Sequence, residues 1–152
     1  AADCLVNTFV ASLLKVERAL AREKGAFALF AAFLREDGLG KWDLVISAPW
    51  VERDREAALR LISARVQAAL KPQQLLSISR IALVEPTSPE VAAINREFQV
   101  ERSPVEVWGR SFFGMAIRHA HIFASARQDA VIPARPSRAR TTQQQRRKAA
   151  RG

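Results

Sequence analysis

The two histidines are the residues whose type and spacing point most directly to chemistry. His119 and His121 are the two histidines of the chain, and on a β-strand both imidazoles would project from the same face. Two such nitrogens can bind one metal ion, but a site needs a third ligand, and no nearby residue in the sequence supplies one. Ile117 and Phe123 have the same parity, which favours the alternative that this is a sheet face packed against a helix.

The carboxylates at predicted element ends form a second group. Glu17 lies on a predicted helix, Asp43 begins a predicted strand and Glu85 ends another. Acids that lie within a few ångströms of one another can hold Mg²⁺ for phosphodiester cleavage. The alternative is that they are ordinary solvated charges, because exposed acids are common in loops and at strand ends.

A small basic and aromatic group, Trp50, Arg53 and Arg55, lies in a predicted loop between a strand and the following helix. Ligands of α/β sheets bind at such edges, and an aromatic residue there is often a contact residue. The sequence therefore predicts a binding site for an acidic or nucleic-acid partner. The alternative is that Trp50 packs beneath the loop, as most large aromatic residues do.

The positive charge of the chain is concentrated at its C-terminal end. Of the net charge of +9, residues 127–152 contribute +7, from eight Lys and Arg against one acid. Low hydrophobicity and high charge predict disorder for this segment, and spaced cations bind phosphates without sequence specificity. The alternative is a solubilising extension. The predicted contacts of this tail are Arg138, Arg140, Arg146, Arg147 and Lys148.

The helices and strands that must position these residues follow from the pattern of apolar residues. Apolar residues spaced three and four apart indicate helices, whereas continuous apolar runs or alternating apolar and polar residues indicate strands. In chain order it predicts a helix over 3–22, strands over 26–34 and 42–49, a helix over 54–70, a strand over 75–84, a short helix from Ser88 and a strand over 111–125, with a short strand also indicated at 105–108. The order α-β-β-α-β-α-β predicts an α/β or mixed α+β fold with a four- to five-stranded mixed sheet and helices packed on it. We expect one domain over 1–126.

The element order over 26–85 resembles that of the restriction-endonuclease-like nucleases. The resemblance implies a metal-dependent nuclease in which Asp43 and Glu85, with Glu17 as a further candidate, would hold Mg²⁺. The chain departs from the family pattern because no predicted strand carries its Asp/Glu-x-Lys triplet. The resemblance therefore covers the order of elements alone.

Several classes of protein are disfavoured by composition. The longest apolar run, 26–34, has nine residues, whereas a membrane-spanning helix needs about twenty, so we expect no membrane partner. One cysteine excludes an internal disulfide, which fits a cytoplasmic location. Gly-rich phosphate loops and paired cysteines are absent from the sequence. We therefore predict a non-enzymatic, cofactor-free domain that binds a partner, with a basic tail; the alternative is the Mg²⁺-dependent nuclease-like enzyme.

Overall fold

Five strands form one mixed sheet in the computed structural model, which describes residues 2–37, 39–101 and 103–126. The helices are α1 (Ala2–Lys24), α2 (Pro49–Arg53), α3 (Arg55–Ala69), α4 (Pro72–Leu75) and α5 (Pro89–Glu97). The strands are β1 (Leu29–Arg35), β2 (Trp42–Ser47), β3 (Ile78–Leu83), β4 (Val105–Phe112) and β5 (Met115–Ser125). The predicted fold class and the predicted order of elements are confirmed. The predicted tail, 127–152, lies outside the described residues.

The sheet has the strand order β3-β2-β1-β5-β4, with β2 and β3 parallel and the other neighbours antiparallel. The crossover between the parallel strands is α3, which begins where the Asp54 carboxylate accepts a hydrogen bond from the Ala57 amide. Pro72 then starts the short helix α4. As a result β3 begins at Ile78, and the prediction that this strand starts at residue 75 was wrong.

Both faces of the sheet are covered, which explains why β1 is apolar on both parities. On one face, Phe30 and Leu44 pack with Leu13 of α1 and Ile62 of α3 in one buried cluster. On the other face, a second buried cluster includes side chains from β1, β2, β5 and the helix α5. No helix in the described part of the chain is long and apolar enough to cross a membrane.

The predicted last strand, 111–125, is instead part of a hairpin. Phe113 and Gly114 form its two-residue turn with φ of 53° and 73°, the left-handed conformation that such tight turns require. The strands β4 and β5 pair in continuous register, which places Glu106 opposite His121. A register shift between β5 and β1 at Arg118 puts Ile117 in the cluster beneath α5. The prediction that Ile117 shares a face with the histidines was therefore wrong.

Candidate metal centre

Three potential metal ligands meet on the face of the sheet that carries α1. Glu106 comes from the edge strand β4, and His119 and His121 come from its neighbour β5. One ligand atom of each residue lies within 4.8 Å of a ligand atom of each of the other two. Among the described residues, these three form the group of His, Cys, Asp or Glu side chains that lie close enough together to hold a metal ion. The hairpin register supplies the third ligand that the local sequence does not contain.

The His119 ring is held in place by two contacts. Its Nε2 lies 2.8 Å from Glu106 Oε2, at hydrogen-bond distance. Trp108 stacks on the ring with 3.5 Å between the centroids and 8° between the planes. The indole limits rotation of the imidazole, and the contact with Glu106 places two ligand groups side by side. A bound metal ion would replace the proton that these two groups share. Trp108 is 63 % exposed whereas His119 beneath it is 7 % exposed, so the indole covers the imidazole on this side.

The His121 ring is buried and has an unpaired nitrogen. The residue is 6 % exposed, and Nε2 has no hydrogen-bond partner among the described residues. Burial, followed by the neighbouring His119, lowers the pKa of His121 to about 4, while Glu106 acts in the opposite direction. At neutral pH His121 is therefore the uncharged imidazole that metals bind. A buried polar atom without a partner costs about 1–3 kcal/mol, which a bound metal ion would offset.

The centre opens to solvent on the side of Glu106, whose side chain is 51 % exposed. This gives an ion an entry path, which a metal site requires. Ligand atoms around a tetrahedral zinc ion lie about 3.4 Å apart, closer than the 4.8 Å limit seen here. The exposed Glu106 carboxylate can rotate to close this difference. Three protein ligands would leave a fourth position for water or substrate.

The predicted carboxylate Asp43 is fully buried between two arginines. Its Oδ2 lies 3.1 Å from Arg35 Nε and 3.3 Å from Arg80 Nε. Arg80 is its register partner on β3, and Arg35 lies on the opposite neighbour, two residues beyond the register partner of Asp43 on β1. The fold thus uses this buried carboxylate as the centre of an ion-pair cluster whose two arginines reach solvent, with two cations where an Mg²⁺ ion would have to bind.

The other predicted catalytic acids do not join Asp43. Glu85 follows the end of β3, beyond the residues that pair with β2, and it interacts with Arg55. Glu17 lies on α1, on the other side of the sheet from Asp43. Burial raises the pKa of Glu17 to about 7, although Arg18 acts to lower it. The structure does not bring these three carboxylates together.

The predicted contact residues of the body lie at and beside α2. Trp50 is within this helix rather than in the expected loop, is 8 % exposed and packs edge-on against Phe27 at 5.7 Å between centroids. Arg55 is paired with Glu52, whereas Arg53 lines a cavity with Trp50. The role of these residues in binding stays a prediction. The predicted tail contacts lie outside the described residues and are Arg138, Arg140, Arg146, Arg147 and Lys148.

The sequence-based prediction missed Glu106 and Trp108. Both would follow from recognising that the chain turns at residues 113–114, because antiparallel pairing across a two-residue turn places 106 opposite 121 and 108 opposite 119. The signal for that turn was weak, since Phe113 is an unusual residue for a left-handed conformation.

Comparisons with known proteins give no independent guide to this centre. No family model matches the chain, and no curated protein or solved structure matches it. The interpretation of the centre therefore depends on the geometry of Glu106, His119 and His121 and on the chemistry of their ligand atoms.

Proposed function

We propose that this chain binds one divalent transition-metal ion through Glu106, His119 and His121, with Zn²⁺ as the best match to the ligand set. The observation that carries this proposal is the buried His121 ring, whose Nε2 has no partner among the described residues and which lies beside a second imidazole and a carboxylate. Imidazole nitrogens suit zinc and its neighbours in the periodic table, whereas Mg²⁺ and Ca²⁺ prefer an all-oxygen shell.

The ligand count supports a reactive role rather than a structural one. Structural zinc sites have four protein ligands, whereas catalytic ones have three and leave a position open for water or substrate. A zinc ion in such a site polarises a bound carbonyl or lowers the pKa of a bound water. A metal-dependent enzyme, the alternative predicted from the sequence, thus remains a proposal. Its ligands would be the two histidines and Glu106 in place of Asp43, Glu85 and Glu17.

The test is isothermal titration calorimetry of the full chain with Zn²⁺ and, separately, with Mg²⁺. We expect one Zn²⁺ per chain and no comparable Mg²⁺ binding. His119→Gln and His121→Gln should each weaken Zn²⁺ binding by at least 100-fold, and Glu106→Gln by about 10- to 100-fold. Glu101→Gln, an exposed acid near the start of β4, is the matched control. Undiminished binding by His121→Gln would contradict the proposal.

Association of the basic tail with nucleic acid or an acidic surface, in a cytoplasmic location, is the second proposal. It is supported by eight cations against one acid in 127–152. In the full chain, changing Arg138, Arg140, Arg146, Arg147 and Lys148 to Gln should weaken oligonucleotide binding and flatten its salt dependence, because fewer counterions are released. Fluorescence anisotropy across a salt series measures both, and an unchanged slope would count against this role.

A further inference from the structure

A small cavity lies where α1, α2 and the start of α3 meet, away from the proposed metal centre. It has a volume of about 240 Å³. Its wall is partly apolar, from Ala57, Ala58 and Leu61, and its charged lining residues are Lys24, Arg53 and Asp54. Trp50 completes the lining. The cavity therefore combines apolar surface with two cations and one anion.

Trp50, which lines the cavity, carries a buried hydrogen-bond donor without a partner among the described residues. The residue is 8 % exposed, and its buried Nε1 has no partner among the described residues. An indole N–H can only donate, so it needs an acceptor. The Cδ1 atom, which adjoins Nε1 in the ring, would lie 3.4 Å from a Cβ at Gly25. The polar edge of the indole thus lies beside the backbone that follows Lys24.

The two cations of the cavity make no ion pair within the described part of the chain. Glu23, which neighbours Lys24 in sequence, is hydrogen-bonded by Arg65. The lining acid Asp54 is also occupied, because its Oδ1 accepts the Ala57 amide at the start of α3. What the cavity offers a ligand is therefore two positive charges and one negative charge beside an apolar wall.

We infer that this cavity binds a small anion through a carboxylate or phosphate group, with Trp50, Arg53 and Lys24 as its contacts. Guanidinium and ammonium groups form charge-assisted hydrogen bonds with both kinds of anion, and the indole of Trp50 would lie against the bound ligand. The alanines and Leu61 would contact an apolar part of the ligand. This site refines the partner-binding group predicted from sequence: Lys24 joins it, and Arg55, paired with Glu52, leaves it.

The experiment is a titration of the ¹⁵N-tryptophan-labelled full chain followed by NMR. The chain has three tryptophans, and Trp50→Phe assigns the Trp50 indole signal. Inorganic phosphate and acetate are added in separate arms at constant ionic strength, with chloride as the reference anion. We expect saturable movement of the Trp50 indole signal, with the signals of Trp42 and Trp108 unmoved. Saturation by phosphate alone or by acetate alone supports the site and identifies its anion.

Charge-removing variants test the contacts. Arg53→Gln and Lys24→Gln should each weaken anion binding by about 5- to 10-fold. Arg96→Gln, an exposed residue of α5 on the far side of the sheet, should leave it unchanged. The inference is overturned if chloride moves the Trp50 signal as far as phosphate and acetate do, or if Arg53→Gln binds both anions as tightly as the unaltered chain. Neither result bears on zinc binding.

Discussion

Two buried ionisable side chains on opposite faces of the sheet, Asp43 and His121, differ in whether the fold pairs them with an opposite charge. Asp43 lies within ion-pair distance of Arg35 and Arg80, so the fold itself supplies its counter-charges, although neither carboxylate oxygen has a hydrogen-bond partner among the described residues. His121 is also buried, and its Nε2 has neither a hydrogen-bond partner nor an ion pair among the described residues. A buried group that the fold has compensated belongs to the architecture. A buried group left without a partner, beside two other ligands, indicates a site that functions with something bound.

Removing the compensated charge should give the largest effect. Asp43→Asn leaves two arginines facing each other, and we expect it to lower the free energy of unfolding by about 3–4 kcal/mol. Urea denaturation measures this loss. Asp37→Asn, which removes an exposed acid 3.7 Å from the same Arg35, should change it by less than about 0.5 kcal/mol. Equal effects of the two variants would show that burial between two strands does not determine how much Asp43 contributes to the free energy of unfolding.

Glu17 is the intermediate case, a buried acid whose pKa of about 7 lies above the usual 4.5. The folded state therefore binds more protons than the unfolded state between these values, and stability is lost as pH rises through that window. Glu17→Gln does not titrate, so its stability relative to the unaltered chain should rise by about 3 kcal/mol from pH 4.5 to pH 8. Parallel pH–stability curves for the two proteins would mean that Glu17 is compensated.

Loss of the indole that stacks on His119 should have a smaller effect, a decrease in zinc affinity. Trp108→Ala removes the ring that fixes the plane of His119, and we expect about 10-fold weaker zinc binding. The comparison with Trp108→Phe, which keeps an aromatic face over the imidazole, separates stacking from simple coverage. If Trp108→Ala bound zinc as tightly as the unaltered chain, the position of His119 would depend on Glu106 alone.

Replacing His121 should have the smallest effect on stability, and this effect is the most informative about how the buried ring is compensated. Without metal at pH 8, His121→Leu should change stability by less than about 1 kcal/mol or increase it, because an unpaired buried nitrogen is replaced by an apolar group. The unaltered chain should also lose stability as pH falls from 6.5 towards 4, where the unfolded state takes up a proton that His121 in the folded state does not. The variant should lack this acid-side loss. A loss of several kcal/mol at pH 8 would show that the fold itself satisfies the ring.

The two sites also differ from the secondary structure in how far local sequence patterns could predict them. The order of elements was predictable, because local signals such as the N-cap Asp54 and the apolar run at 26–34 do not depend on distant residues. The compensation of Asp43 was not, because Arg35 and Arg80 lie on two other strands. The centre also depends on a register that a two-residue turn defines and on a shift near Arg118 that moves Ile117 to the other face. Local periodicity carries no information about either feature.

The central claim is that Glu106, His119 and His121 hold one metal ion, and the most direct measurement is zinc K-edge X-ray absorption of the zinc-loaded full chain. The chain has two histidines and one cysteine, so the ligand shell can be assigned by atom type. We predict two imidazole nitrogens at about 2.0–2.1 Å with oxygens completing the shell, and one imidazole in His121→Gln. An all-oxygen shell, a shell containing sulfur, or an unchanged spectrum in His121→Gln would contradict the claim.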